Sequence, residues 1–438
     1  MNIVVPLAAG PPAPPQLSAP PPLSLYIHFP WCVRKCPYCD FNSHEVRGGI
    51  PEDAYVAALI RDLELALPQV WGRRVVSVFI GGGTPSLFSA AGLDALLTAV
   101  RMRLPVSPEA EITLEANPGT VEAAKFAGFR AAGVNRLSLG VQSFADRQLH
   151  SLGRIHGGAE ARRAAELALR HFDNVNLDLM YALPQQTLAE ARQDIEIALA
   201  LAPAHLSAYH LTLEPNTPFH HAPPPLPDDE LAADMQEMVE AELAAAGYEH
   251  YETSAFAKRV GLPPGPLPEE GGDDGSAALR AASGVSTGST LGRPGGGADR
   301  RCRHNLNYWN FGDYLGIGAG AHGKLSSHLG IVREMRRKHP QAYLQAAVGG
   351  DFVQERHEVP AAERPVEFMM NALRLNQGFA AALYAERTGL SLAGLQAPLL
   401  AAQRQGLLEL TAERIRPTAR GRRFLNRLLG LFLAEPAR

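Results

Sequence analysis

The chain has 438 residues, is 46% hydrophobic and 20% charged, and carries a net charge of −4. That length holds one large domain and at least one smaller one. The acidic balance excludes binding to nucleic acid driven by a basic footprint, and no apolar run is long enough for a transmembrane segment.

The first 22 residues hold eight prolines and neither a basic end nor an apolar core, so they read as a disordered tail rather than a secretory signal. A cytoplasmic location follows, and reduced cysteines suit it.

From residue 23 strand-like and helix-like runs alternate. Strands are expected over 23–30, 75–80, 111–116, 136–141, 174–180 and 205–213, and helices over stretches such as 54–67, 91–104 and 159–170. This rhythm predicts an α/β fold: a partial, six-stranded parallel β/α barrel with right-handed crossovers. The unit runs over 23–260 and includes a helix at 227–246 and one strand at 248–256. Residues 261–300, with eleven glycines, five prolines and no aromatic residue, read as a disordered insertion. Residues 301–359 form a connecting region. Residues 360–438 form a mainly helical C-terminal module with a winged-helix-like rhythm, too weakly basic for DNA.

Three of the four cysteines, Cys32, Cys36 and Cys39, fall within eight residues just after the first strand, and Cys302 is far away. Three clustered thiolates fit a 4Fe-4S cluster with one iron left open, since such sites normally take four protein ligands. Structural zinc would need a second ligand pair at short spacing, for which only the distant Cys302 or His28 is on offer. The other chemistry-capable residues fall at the ends of the expected strands: Gly81-Gly-Gly-Thr-Pro85, Glu115-Ala-Asn-Pro118, Gln142 and Asp178. In parallel β/α barrels that face carries the site.

With these motifs the chain resembles the radical S-adenosylmethionine superfamily, and within it the oxygen-independent coproporphyrinogen III oxidase-like group, nearest to that group's heme chaperones. The motifs are Tyr26–Cys32, Cys36–His44 and His304-Asn-Leu-Asn-Tyr-Trp309. The resemblance implies a 4Fe-4S cluster on Cys32, Cys36 and Cys39, with S-adenosyl-L-methionine on its open iron. It implies cofactor contacts from Tyr26, Tyr38 (through its backbone), Gly82, Gly83, Thr84, Glu115, Gln142, Arg154 and Asp178. It also implies heme contacts at His304, Tyr308 and Trp309, although a loop packing its aromatics on the barrel rim explains these equally well. Cys302 is an alternative heme thiolate, and His210 and His322 are lesser candidates.

The function so implied is heme binding and delivery to acceptor proteins such as respiratory-chain components, near a membrane if the apolar run 424–433 touches one. The rival is the enzyme itself, an oxygen-independent coproporphyrinogen III dehydrogenase. Decarboxylating members carry a further cysteine two residues after the third, where this chain has Phe41. They also have a long ordered segment before the first strand, where this chain has its proline-rich tail.

Overall fold

The computed structural model describes residue 17 and residues 19–120, 123–258 and 299–433. The expected N-terminal tail and the 261–300 insertion lie almost wholly outside these residues.

All six expected parallel strands form: β1 (Leu23–Phe29), β2 (Val75–Gly82), β3 (Val106–Ala116), β4 (Arg136–Gln142), β5 (Val175–Tyr181) and β6 (His205–His210). The stretch expected as a single strand near 248–256 is instead a hairpin, β7 (Tyr248–Glu252) and β8 (Ala255–Lys258), with β8 antiparallel to β6.

Residues 301–359 are more than a connection. They supply β9 (Asp313–Ile317), β10 (His322–Ser327) and β11 (Gly330–Arg336), and β12 (Val353–Glu358) follows. β9 lies parallel to β1 on the side away from β2, so seven strands run parallel rather than six. The sheet order is β12-β11-β10-β9-β1-β2-β3-β4-β5-β6-β8-β7, an open sheet rather than a closed barrel.

Parallel strands covered on both faces usually read as unbroken apolar runs. Here one residue in two is apolar and packs under the helices: Leu25 and Ile27, Val78 and Ile80, Ile112 and Leu114, Leu137 and Leu139, Leu177 and Leu179. The helix Glu52–Ala66 buries Tyr55, Leu59 and Leu63 against this layer, and Ser89 caps the helix Ala90–Arg103 by accepting from Gly92 N. Each such side chain contributes roughly 1.5–3 kcal/mol when fully buried.

The alternate residues are polar and bond to one another across the concave face. Ser24 Oγ lies 2.7 Å from Ser77 Oγ, Ser138 donates to Asp178 (2.9 Å), and Asn176 donates to both Ser138 and Asp178 (2.8 Å each). Period-two alternation on parallel strands thus marks an interior that is hydrogen-bonded at one end and open at the other.

The helix Arg303–Trp309 closes the amino end of this interior. Asn307 donates to Ser24 Oγ, while Cys302 Sγ and His304 N both donate to Glu111. Beyond β12 lie helices and a small three-stranded antiparallel sheet, Phe379–Ala380, Arg414–Pro417 and Leu408–Leu410. They share a second apolar core of Phe368, Met369, Tyr384 and Leu399, which Phe311 and Ile331 enter from the larger sheet.

Candidate functional site

Cys32, Cys36 and Cys39 sit on the loop leaving β1, each half-buried and each beside one donor. Thr84 Oγ1 donates to Cys32 (3.5 Å), Arg154 Nη1 donates to Cys36 (3.7 Å), and the Ser43 hydroxyl lies 4.0 Å from Cys39. Burial pushes the Cys32 and Cys39 thiols up from their ordinary range.

The loop is fixed by backbone bonds to both flanks. Gly83 N donates to Phe29 O, Thr84 N to Trp31 O and His44 N to Pro30 O. His28 Nε2 lies 2.9 Å from Asn42 O, and the Asn42 amide donates to Ala319 O and Lys338 O. The motif residues His28 and Asn42 therefore shape the loop, which their place in the sequence did not reveal.

The glycines of the second motif have a packing reason. Gly82 has φ +115°, and a Cβ there would stand 2.6 Å from the His28 ring; one on Gly83 would meet Trp31 O at 2.5 Å. Gly82 N donates to Glu115 Oε2 (3.0 Å), so the amides of Gly82, Gly83 and Thr84 all have partners within the protein.

The three thiols open onto a cavity of about 590 Å³. Tyr38, Gly82, Gly83, Thr84, Glu115, Gln142, Arg154 and Asp178 line it too, so the strand-end residues do converge. Gln142 takes φ +68°, a backbone strain of the kind that collects at sites. Arg154, the least motivated of the set in sequence, is tightly held by Asn117 Oδ1 (2.5 Å) and Gly140 O (2.7 Å).

Burial and the neighbouring Asp178 push the Glu115 carboxyl up to about 8, and burial raises Asp178 as well. Two carboxylates facing one cavity repel, and a cationic or hydroxyl-rich ligand relieves that repulsion. Tyr26 lies deeper, with its hydroxyl 3.0 Å from His28 Nδ1 and its ring stacked on Phe79, and does not line the cavity.

The heme residues inferred from sequence are not gathered there. His304 is 1% exposed inside the closed amino end, with Nδ1 3.1 Å from Ser77 Oγ and its ring against Phe79 and Tyr308. Burial holds its pKa down to about 3. Tyr308 packs on Tyr314, and Cys302 is buried with its thiol pushed up to about 12. The expected ligand His304 is thus sealed from any bulky partner. His322 begins β10 away from the cavity lining, and His210, which touches the cavity, packs its ring against Tyr181. Trp309 does not line the cavity itself but lies under the guanidinium of Arg374, which does.

Sequence reasoning missed Asn117, Ser138, Tyr209 and Arg374, which also line the cavity. Asn117, inside the Glu115-Ala-Asn-Pro118 motif, was the one with a local signal. Among the described residues no three His, Cys, Asp or Glu side chains close around a single metal ion. Three thiols of one loop, spread around a cavity and each beside a donor, are a donor set suited to a cluster.

Residues 26–198 match the model of the radical SAM superfamily, and residues 359–424 match that of the HemN C-terminal domain. The chain is 47% identical over 420 residues to the heme chaperone HemW of Escherichia coli, covering 95% of this chain and 99% of that one. It is 44% identical over 421 residues to the heme chaperone HemW of Haemophilus influenzae (95% and 99%) and 33% identical over 423 residues to that of Bacillus subtilis (94% and 99%). Among solved structures, coproporphyrinogen III oxidase (HemN) from Escherichia coli superposes with a TM-score of 0.73 at 22% identity, covering 94% of this chain and 90% of that one, which shows a shared fold. No helix of the described residues is long and apolar enough to cross a membrane. The thiol loop at the strand ends and the full-length likeness together place the chain in the radical SAM superfamily, in the family of the HemW proteins.

Proposed function

We propose that this chain is a cytoplasmic heme carrier on a radical SAM scaffold, which binds heme and passes it to acceptor proteins such as respiratory-chain components. The observation that carries the reading is the build of the cavity at the thiol loop. It is lined by the three thiols, Arg154 and Asn117 together with Met180, Tyr209, Leu211 and Arg374. A cavity of this size suits a cofactor-sized ligand. Relatives matched along nearly their whole length bear the name heme chaperone, which supports the assignment of heme to it.

Cys32, Cys36 and Cys39 would hold the cluster, and Tyr38, Gln142, Glu115, Asp178 and Arg154 would hold S-adenosyl-L-methionine beside it. When bound, that pair supplies one-electron chemistry. The chain's own part is to position and to balance charge. Glu115 and Asp178 would accept from hydroxyl or ammonium groups. Arg154, tied to Asn117 and Gly140, would set a positive charge beside the ligand's carboxylate, while Gly82 and Gly83 let the loop close on His28 and Trp31.

The test is anaerobic purification with iron and sulfide analysis, then heme titration by visible absorption and transfer to an apo-hemoprotein. Stoichiometric uptake and transfer are expected. Steady anaerobic decarboxylation of coproporphyrinogen III would overturn the carrier reading in favour of an enzyme.

A further inference from the structure

We propose that Arg374, laid over the indole of Trp309 in the lining of the cavity, is an anion site that pairs with a carboxylate of a planar, amphipathic tetrapyrrole. This rests on the heme reading above and names the group that would recognise the ligand's propionate.

Arg374 belongs to no strand of the sheet. It follows the helix Arg364–Ala372 of the C-terminal module, and its backbone is stitched to the sheet edge. Thr253 N donates to Arg374 O (3.1 Å), Glu252 bridges to Leu375, and Asn376 donates from its backbone to Tyr251 O and from its side chain to His250 O. A residue of the second core is thereby delivered into the cavity of the first.

The guanidinium carbon lies 5.0 Å from the centroid of the Trp309 ring, and Nε donates to Met370 O (3.3 Å). Neither terminal nitrogen makes a hydrogen bond or salt bridge among the described residues. The guanidinium acts only at longer range on the buried Glu252 carboxyl, which burial pushes up to about 7 and so leaves a weak partner for the cation. A guanidinium stacked on an aromatic face keeps its edge free for two parallel bonds to a carboxylate.

The cavity's other cations are differently placed. Arg154 is tied to Asn117, Gly140 and Cys36, and Arg34 is exposed on the thiol loop. Tyr209, 40% exposed, and Met180 offer apolar surface in the same cavity. An apolar ring with an acidic side arm meets both needs, and the acidic Glu115 and Asp178 disfavour a carboxylate at their own wall. The geometry also gives the His304–Trp309 helix two roles: its first turn plugs the interior, and its last residue seats Arg374.

The experiment titrates the anaerobically purified, cluster-loaded full chain with iron protoporphyrin IX and with its dimethyl ester. Wild type is expected to bind the free acid about tenfold tighter than the ester, as for a charge-assisted pair. Arg374→Gln should bring the two ligands to within about twofold, and Arg374→Lys should keep part of the preference. S-adenosylmethionine affinity should stay unchanged in both variants, and the unfolding midpoint should fall only modestly, by the loss of the stack on Trp309. Should Arg374→Gln fail to fold, the wild-type preference and the lysine variant decide. Equal binding of the two porphyrins by wild type, or an undiminished preference in Arg374→Gln, would overturn the site while leaving heme carriage standing. A wild type that binds neither overturns the heme reading, and this ligand with it.

Discussion

At the carboxyl end of the parallel strands, Cys32, Cys36 and Cys39 stand half-buried at the edge of a cavity. At the amino end, Cys302 and His304 are each 1% exposed and bonded to Glu111 and Ser77. The residue types are those of a metal site in both places. What separates them is access and partners: a buried, neutral imidazole bonded to a core serine holds a fold together, while a thiol facing open volume has coordination to offer. A motif rich in ligating residues is therefore evidence of a site only once its exposure is known.

The contrast is broken most directly by cysteine replacement. Cys32→Ser should take iron from about four per chain to near none, whereas Cys302→Ser should keep the cluster absorption intact. Loss of the cluster from the Cys302 variant would make the amino end part of the site.

Next in size is the carboxylate pair of the open end. The Glu115 carboxyl, near 4.5 when unfolded, sits at about 8 when folded. A raised folded pKa means stability that is fully present below the unfolded value and lost as pH rises through the folded one. The cluster-free chain should therefore weaken from about pH 4.5 to about pH 8. Glu115→Gln should remove a slope on the order of a few kcal/mol. Denaturant unfolding of both proteins across that window checks this, and identical slopes would refute it.

At the closed end, His304→Ala should cost about 2–4 kcal/mol of stability through the void it leaves. Cluster content and heme uptake should not change. Weaker heme uptake at unaltered stability would move His304 into the site. The smallest effect is expected from Gly82→Ala, where a methyl group pressed on the His28 ring at positive φ should cost about 1–3 kcal/mol. Thermal unfolding together with iron content would show whether the damage stays local to the thiol loop.

The six strands were legible because each is an apolar run set between helices of regular period. The thiol loop and the strand-end residues were legible because a parallel sheet puts its strand ends on one face. β9 escaped because its short apolar run is broken by Gly316 and the glycines that follow, so the stretch passed as part of a connecting region. A Cβ on Gly316 would stand 2.0 Å from His322 O, so only glycine lets the two segments come together there. The roles of His304 and Cys302 escaped because burial is a property of the assembled sheet. Arg374 and Tyr209 escaped for a related reason: they reach the cavity from distant segments, and no local pattern announces them.

The pairing of β1 with β9 sets a condition on how the chain is made. Leu23 of β1 faces Val75 on one side and Asp313 on the other. The first edge can zip early, but the second waits until nearly three-quarters of the protein has left the ribosome. Until then the strand carrying the thiol loop has one flank of unpaired backbone groups, a template for wrong partners. Contacts so distant along the chain slow folding. A nascent chain stalled before residue 313 should therefore be prone to aggregation, with its cysteines in place and their supporting wall not yet made.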